Sequence, residues 1–485
     1  MQKLFENYDP GRFFCELFGP PRSNRRPVSA QVAKIVRRLN GFNLGALRRR
    51  SREADQELYN LGITFTVYTE QTSVDRILPF DVLPRVLSAQ DWAVIERGVR
   101  QRIEAINLFL HDVYHDRKVL KDGVVPEDLV LGNPHYCPQM AGVKVPGGVY
   151  VHVCGIDVVR DRDGSFKVLE DNARTPSGVS YVIENRHLML RTFPDFVANV
   201  GIRSVSDYGP RLHQALVQVA PGGKRDADVS VALLSPGIYN SAYFEHVFLA
   251  REMGVPLVEG RDLTIEKDRV YMKTAAGLEP VDVIYRRVDD AFLDPQAFNP
   301  NSVLGVPGLF AAYKKGGVTL ANAVGTGVAD DKAVYAYMPR IIRYYLDQDP
   351  ILENVETYIC REAEGLAHAL AHLPELVVKP VGESGGYGVL IGPQASAAAI
   401  AKRREELKQN PANYIAQPVV DLSVCPTLTP GGVEPRHVDL RPFAVTGNGT
   451  WVLPGGLTRV ALTKGSLVVN SSQGGGSKDT WVLED

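Results

Sequence analysis

The chain has 485 residues, enough for about three domains of ordinary size. With 54 Lys and Arg against 56 Asp and Glu, the net charge is −2, so no overall charge favours binding to nucleic acid or to an anionic membrane. The five cysteines are scattered without a CxxC pair, and no long apolar run occurs, which argues against a disulfide framework, structural zinc or a membrane span. We therefore expect a soluble, cytoplasmic, multidomain protein.

Helical patterns dominate the first 130 residues. Apolar residues recur at helical spacing over Ser29–Leu39 and over Ser88–Val113, which predicts a helix in each segment. Proline and glycine residues around 132–146 then introduce a β-rich stretch. We predict a mainly helical N-terminal region followed by a sheet.

From residue 229 the pattern changes to strands that alternate with helices. A short apolar run at 231–234 precedes a predicted helix over Ala242–Met253, and a further strand is predicted near Val281–Tyr285. This alternation is typical of a small α/β unit with parallel strands. A helix is predicted over Asp331–Leu346, with a kink or a break at Pro339. Strands and glycine-rich turns follow residue 376, so the chain is expected to be of mixed α/β class.

An acidic hairpin is predicted over residues 149–172. Two β-rich runs flank Asp163-Gly164, which favours a two-residue turn in which Arg162 faces Ser165. In that register Asp157 lies opposite Glu170, and Asn172 lies on the same face as Glu170 because side chains alternate along a strand.

Opposed carboxylates repel each other unless a cation lies between them. Asp157, Glu170 and Asn172 would place three oxygen donors on one face, which suits Mg²⁺ because this ion takes one or two carboxylates together with phosphates and water. The alternative is a solvated hairpin face that never binds a metal.

A lysine precedes a glycine-rich turn near residue 380. Lys379 lies on a predicted strand, and the glycines at 382, 385, 386 and 388 would let backbone N–H groups approach phosphate oxygens. The segment is neither a P-loop nor a Rossmann fingerprint, and a plain glycine-rich turn is the alternative. Lys332, at the start of a predicted helix, is a second candidate phosphate contact.

The same glycines also fit a rival pattern. Residues 382–386 read GxSxG, the nucleophile elbow of α/β-hydrolases, with Ser384 as the nucleophile. His437 and Asp421 lie downstream as candidate triad partners. No HGGG-type oxyanion segment accompanies the pattern, and valine follows the glycines rather than a clear helix.

Three arginines are candidates for binding a phosphate, a carboxylate or the oxyanion of a reaction, because the guanidinium group is always charged; a structural ion pair is the alternative role for each of them. Arg441 shares a face with Asp439 on one predicted strand, Arg459 follows a glycine pair, and Arg287 ends another predicted strand. The tail after residue 468 is either a flexible linker or a glycine-rich loop that packs back over a site.

These segments together resemble the circularly permuted ATP-grasp family, which is distantly similar to the synthetase domain of glutathionylspermidine synthase. The resemblance runs from about residue 150 to the C-terminus and rests on EDNARTPSG, YRRVDDAFLDP, NAVGTGVADDK, VVKPVGESGGYG and the C-terminal PGGLTRVAL. It departs from that relative at Gly155, where the relative has an arginine. The chain also lacks a visible amidase domain.

The resemblance implies a circularly permuted ATP-grasp fold and a role for each matched residue. Residues 1–130 would be the helical N-terminal region, 131–228 the metal-ligand half, 229–328 a small α/β domain beside the acceptor site, and 329–485 the ATP-binding half. The implied Mg²⁺ ligands are Asp157, Glu170 and Asn172. The implied ATP contacts are Lys332, Lys379, Ser384, Gly385, Gly386, Tyr387, Gly388 and Gln417, the last within the adenine hinge Tyr414–Pro418.

The resemblance also implies a reaction. ATP and Mg²⁺ would activate a small-molecule or peptide carboxylate as an acyl phosphate, and an amine would then form an amide bond. Two alternatives stay open: a nucleotide-binding scaffold or subunit that needs a small helical partner protein, and the serine hydrolase described above.

Overall fold

A computed structural model describes residues 4–21, 26–68, 73–382, 388–470 and 474–485. In chain order, helices α1 to α15 span Ala30–Leu39, Leu44–Asn60, Ala89–Tyr114, Lys118–Lys121, Glu127–Leu131, Val179–Thr192, Pro194–Val197, Tyr208–Val217, Tyr243–Met253, Asp290–Leu293, Leu309–Lys314, Lys332–Ala336, Met338–Leu346, Ala363–His372 and Ala397–Gln409. Strands β1 to β23 span Thr64–Tyr68, Ser73–Ile77, Phe80–Leu87, Val153–Arg160, Phe166–Asn172, Val231–Leu234, Leu257–Val258, Leu263–Glu266, Arg269–Thr274, Gly277–Val281, Val283–Arg286, Thr319–Ala321, Glu353–Asn354, Tyr358–Ile359, Leu376–Pro380, Leu390–Ile391, Tyr414–Pro418, Val424–Thr429, Gly432–Arg441, Phe443–Thr446, Thr450–Val452, Leu457–Val460 and Gly476–Val482.

Side-chain caps determine where several of these helices begin. The hydroxyl of Ser29 accepts a hydrogen bond from a backbone N–H in the first turn of α1, and Ser88 does the same for α3. Asp331 caps α12 by accepting from two backbone N–H groups. The predicted helices are confirmed at these positions. The predicted break at Pro339 is also confirmed, because α12 ends at Ala336 and α13 begins at Met338 with the proline in its first turn.

The predicted small α/β unit is present. Its four strands have the order β12-β11-β6-β7, and all of them run parallel. Helices α8 and α9 pack against β6 of this sheet. The hairpins β8 to β10 form a separate three-stranded antiparallel sheet.

The largest sheet in the described residues carries the acidic hairpin. Its main order is β13-β5-β4-β19-β22-β23-β3, with β18 added to β19 and the β20–β21 pair added to β4. Strand β3 comes from the region predicted to be mainly helical and pairs in parallel with β23. Strand β23 also pairs with β22, so the chain after residue 474 is part of the sheet rather than a linker.

A smaller antiparallel sheet holds the lysine strand. Its order is β14-β17-β15-β16, and the hairpin β15–β16 encloses the glycine-rich segment, as predicted. Helices α14 and α15 complete this unit with an apolar core of its own. The two sheets therefore supply different walls of the candidate site.

Candidate active site

The acidic hairpin brings its three predicted polar residues together. Asp157 on β4 pairs with Glu170 on β5, and Gly155 pairs with Asn172, as the sequence predicted. The side-chain amide of Asn172 lies 3.5 Å from Oδ1 of Asp157. Side chains alternate along a strand, so Glu170 and Asn172 share the face that Asp157 meets.

The turn of this hairpin differs from the prediction, although the register at the site does not. Arg160 pairs with Phe166, and the N–H of Asp161 donates to the carbonyl of Ser165, so the loop has three residues and Asp161, not Arg162, faces Ser165. Gly164 closes it at φ +90°, as three-residue hairpin loops require. A β-bulge that leaves Leu169 unpaired then shifts the register by one residue, and the two departures cancel at Asp157.

Arginines from the neighbouring strands hold Asp157 in place. Arg441 on β19 donates Nε to Oδ1 at 2.5 Å and Nη2 to Oδ2 at 2.9 Å, while Arg459 on β22 donates Nη2 to Oδ2 at 2.5 Å. Arg459 also binds Asp439 on both carboxylate oxygens. Burial alone would raise the pKa of Asp157, but the two guanidinium groups hold it well below its usual value.

The two predicted lysines face this acidic pair from separate elements. Lys332 opens α12 and places Nζ 3.6 Å from Oε2 of Glu170. Lys379 lies on β15 with its side chain half-buried in the same cavity. Among the described residues, the side chain of Lys379 forms no hydrogen bond or ion pair. Burial lowers its pKa to about 8, with Lys332 adding to the effect and Glu170 opposing it. This wall of the site therefore carries a cation that needs an anion.

An apolar cleft continues from the charged groups towards β17. Strand β17 lies between β14 and β15, and the side-chain amide of Gln417 donates to Oγ1 of Thr357 at 2.9 Å. The residues that line the cleft beside Gln417 are Val159, Leu169, Val377, Val389, Ile391, Pro418, Val419, Val420, Leu422, Leu467, Val468, Val469 and Asn470. Residues 467–470 thus line the site, which agrees with a tail that packs back over a site rather than with a flexible linker.

Of the three candidate arginines, Arg459 lines the cavity, Arg441 contacts the lining residue Asp157 without lining the cavity itself, and Arg287 lies elsewhere. Arg441 and Arg459 contact Asp157, as described above. Arg287 donates to the carbonyl of Pro176 at 2.8 Å and to Oγ of Ser177, and it lies 3.5 Å from Glu245. Arg287 is therefore a buried link between the small α/β unit and the loop after β5, rather than part of the cavity lining.

The glycine-rich loop is only partly described. Ser384, Gly385, Gly386 and Tyr387 lie outside the described residues, whereas Gly388 adopts φ +69° beside Pro380. The predicted hydrolase partners can still be compared. Nδ1 of His437 lies 2.9 Å from the carbonyl of Leu422, and Asp421 pairs with Arg12 at 2.9 Å. Because His437 and Asp421 do not hydrogen-bond each other, the base lacks the orienting carboxylate that a triad needs.

Two residues that hold the loop after β5 were missed at the level of sequence. The side-chain amide of Asn322 donates to the carbonyls of Ala173 and Arg174, and its oxygen accepts from the N–H of Val153. Asp330 accepts from the N–H groups of Ala173 and Arg174. Both belong to the motif NAVGTGVADDK that ends at Lys332, and their polarity within a largely apolar run is the signal that could have revealed them.

The oxygen donors of the hairpin suit a hard divalent cation. Within the described ranges, no three or more His, Cys, Asp or Glu side chains form a group that could hold a metal ion. The predicted set instead combines two carboxylates and an amide, and Mg²⁺ completes its shell with phosphates and water. Arginines occupy both oxygens of Asp157, so Glu170 is the carboxylate with the most capacity left for a cation.

Comparisons with known proteins give a consistent family. The model for "Circularly permuted ATP-grasp type 2" matches residues 84–461. An uncharacterized protein of Synechocystis sp. is 51% identical over 99% of this chain and 98% of its own length. A Mycobacterium tuberculosis protein is 48% identical over 99% of this chain and 87% of its own length.

A Frankia alni protein named "Putative glutamate--cysteine ligase 2-3" is 44% identical over 94% of this chain, which spans 52% of that protein. Among solved structures, a glutathione synthetase-like effector from Globodera pallida has a TM-score of 0.57 at 10% identity, over 91% of this chain and 98% of that one. This likeness concerns the fold. In the described residues, no helix is long and apolar enough to cross a membrane.

Proposed function

This chain belongs to the circularly permuted ATP-grasp type 2 family, and on that basis we propose that it is an ATP- and Mg²⁺-dependent carboxylate–amine ligase. One observation carries the proposal. Lys332 and Lys379, from two different elements, face the opposed carboxylates of Asp157 and Glu170 across one cavity. Lysines and carboxylates around a cleft with an apolar end suit a nucleoside triphosphate with its metal ion.

In this proposal the adenine lies in the apolar cleft beside Gln417, and the triphosphate extends towards the lysines. The partly desolvated ammonium group of Lys379 would gain most from the phosphates, because burial already disfavours its charge. Lys332, now 3.6 Å from Glu170, would share its charge between that carboxylate and the phosphates.

Glu170 and Asn172 would hold Mg²⁺, with Asp157 beside them. When bound, the ion supplies charge neutralisation on the phosphates. Asp157 has a second task in this arrangement, since its carboxylate orients the guanidinium groups of Arg441 and Arg459.

The proposed chemistry has two steps. The carboxylate oxygen of the acid attacks the γ-phosphorus, the bond to the β–γ bridging oxygen breaks, and ADP leaves. The amine nitrogen then attacks the acyl carbon, the carbon–oxygen bond to the phosphate breaks, inorganic phosphate leaves, and the nitrogen loses a proton to water. Arg441 borders both Glu170, at 3.8 Å, and the loop at Ser177, and we propose it as the cation that stabilises the tetrahedral oxyanion.

The comparisons support a ligase but leave its substrates open. The Frankia relatives carry glutamate–cysteine ligase names, so glutamate and cysteine are the first acid and amine to test. Small-molecule or short peptide acids and amines of other classes form the rest of the test set. Location in the cytoplasm and a helical partner protein remain part of the proposal.

Trapping of the activated acid tests the proposal. Purified protein with ATP, Mg²⁺ and each acid is treated with hydroxylamine, which converts an acyl phosphate to a hydroxamate. We expect one acid class to give hydroxamate and ADP in equal amounts. Nucleotide binding without ADP formation, for the full set of acids and amines, would favour the scaffold alternative. Hydrolysis of esters that a fluorophosphonate probe blocks at Ser384 would favour the hydrolase.

A further inference from the structure

The strand that carries Glu170 and Asn172 is held from behind by a residue of the N-terminal region. Asp171 lies between these two residues and points to the opposite face of β5. Arg102 of α3 meets it with both arms, Nε to Oδ1 at 2.5 Å and Nη2 to Oδ2 at 2.8 Å. Both side chains are buried, at 1% and 0% exposure.

The same guanidinium reaches a second strand. Nη1 of Arg102 donates to Oδ1 of Asn354 at 2.8 Å, and Asn354 donates to the carbonyl of Tyr335 at 2.8 Å. The hydroxyl of Tyr335 in turn donates to the carbonyl of Val168 at 2.5 Å, next to the bulge in β5. These hydrogen bonds start at Asp171 and return to Val168, so together with the backbone of β5 they form a ring around the bulged part of the strand.

The Arg102–Asp171 pair in this ring is better explained by the geometry that it fixes than by the stability that it adds. A buried ion pair contributes little net stability compared with apolar residues of similar volume, because both charges must be desolvated. A planar fork, in contrast, fixes the carboxylate opposite it in both position and orientation. The backbone of Asp171 is continuous with that of Glu170 and Asn172, so fixing one side chain fixes the direction of the other two.

We propose that Arg102 is a positioning residue that acts through Asp171 to aim Glu170 and Asn172 at the metal ion of the nucleotide. This gives the N-terminal region a role in the site, and it rests on the proposed function. Residues that orient metal ligands from behind affect metal affinity by about 10- to 100-fold. The effect should therefore appear in the Mg²⁺ requirement rather than in nucleotide binding without metal.

The test measures how much Mg²⁺ is needed for half-maximal binding of a non-hydrolysable ATP analogue, by calorimetry. The double variant R102M/D171L replaces the ion pair with apolar residues of similar size and is expected to keep the melting temperature. Arg102→Lys keeps the positive charge but loses the two-armed contact with Asp171. This variant tests the positioning role if the double variant does not fold. Arg100→Gln is the control, because Arg100 lies on the same helix at 48% exposure and pairs with Glu96.

We expect both Arg102 variants to need about tenfold more Mg²⁺, with metal-free analogue affinity within threefold of wild type. Arg100→Gln should match wild type. A folded Arg102 variant with an unchanged Mg²⁺ requirement would overturn the positioning role and leave the ligase proposal intact. Wild-type protein that binds the analogue without any response to Mg²⁺ would overturn the metal site itself, and the positioning role with it.

Discussion

The two walls of the cavity are built in contrasting ways. The carboxylate wall, β4 and β5, lies inside the largest sheet, with β13 on one side and β19 and β20 on the other. Its buried acid at the cavity, Asp157, is matched by two arginines. The lysine wall, by which we mean the strand β15 that carries Lys379, belongs to a small sheet with a separate apolar core. The Lys379 side chain forms no ion pair among the described residues, and Glu170 and Asp157 offset only part of the effect of burial on its pKa.

This difference suggests that the two walls have different roles in ligand binding. In the carboxylate wall, Asp157 is matched in charge and hydrogen bonds without a ligand and can define geometry, whereas Glu170 keeps capacity for a cation. The lysine wall holds a partly desolvated cation whose cost a bound anion would relieve further, so it can provide affinity. A wall that is unfavourable for folding yet favourable for binding is a common feature of functional sites.

Loss of the unmatched cation should have the largest effect. Lys379→Met is expected to weaken binding of a non-hydrolysable ATP analogue by at least about 100-fold, since a charge-assisted contact in a partly dry site is lost. The same variant should stabilise the free protein by roughly 1–3 kcal/mol, because the desolvation cost disappears. Calorimetry and denaturant unfolding measure the two effects. Lys402→Met, on exposed α15 of the same unit, is the matched control at 80% exposure. Unchanged affinity in Lys379→Met would contradict the claim that the lysine wall provides the affinity for the nucleotide.

Removal of the negative charge of Glu170 from the carboxylate wall should change the Mg²⁺ requirement of nucleotide binding. Glu170→Gln is expected to raise the Mg²⁺ needed for half-maximal binding by about 10- to 100-fold, because one ionic ligand is lost. Metal-free binding of the analogue should hold or strengthen, since Lys332 loses its carboxylate partner at 3.6 Å. Asp163→Asn, exposed in the turn of the same hairpin, serves as the control. An equal loss with and without Mg²⁺ would mean that Glu170 acts in some other way.

The pH dependence of binding should identify the lysine wall. The pKa of Lys379 is lowered to about 8 by burial, so the ammonium group is lost as the pH rises through that value. Affinity for the analogue should fall by about tenfold between pH 7 and pH 9, at most tenfold per unit above the pKa. Stability of the free protein should instead rise between pH 8 and 10.5, because the unfolded state then binds more protons. Both trends should vanish in Lys379→Met, and their persistence there would assign them to another group.

A small change beside Arg441 should have the mildest effect. A Cβ on Gly155 would lie 3.1 Å from Cδ of Arg441 and 3.4 Å from Cβ of Pro176, so the arginine must shift by a few tenths of an ångström. Gly155→Ala is expected to lower ligase turnover about three- to tenfold through the displaced cation, with analogue affinity nearly unchanged. Gly449→Ala, which meets nothing within 4 Å, is the control. Equal turnover in the two variants would contradict the proposal that Arg441 stabilises the transition state.

The contrast between the walls also separates what the sequence could predict from what it could not. Local chemistry predicted the helix starts at Ser29, Ser88 and Asp331, the parallel strands of the small unit and the strand that presents Lys379. Caps, periodicity and turn residues act over a few positions, so they can be read from the sequence directly.

Contacts between distant parts of the chain could not be predicted in this way. Arg441 binds Asp157 across 284 residues, and Arg102 meets Asp171 from a helix that the sequence left without a role. Which strands become neighbours depends on packing of the whole domain, and no short-range pattern encodes it. The hairpin shows the same limit, because the loop and the bulge at Leu169 both departed from the expected register and still placed Asp157 opposite Glu170.

The central claim is that a triphosphate with its metal ion binds between the carboxylate ribbon and Lys379. Titration of the wild-type protein with a non-hydrolysable ATP analogue, with and without Mg²⁺, tests it most directly. We predict one nucleotide per chain and clearly tighter binding when Mg²⁺ is present. No heat of binding in the presence of Mg²⁺ would contradict the account.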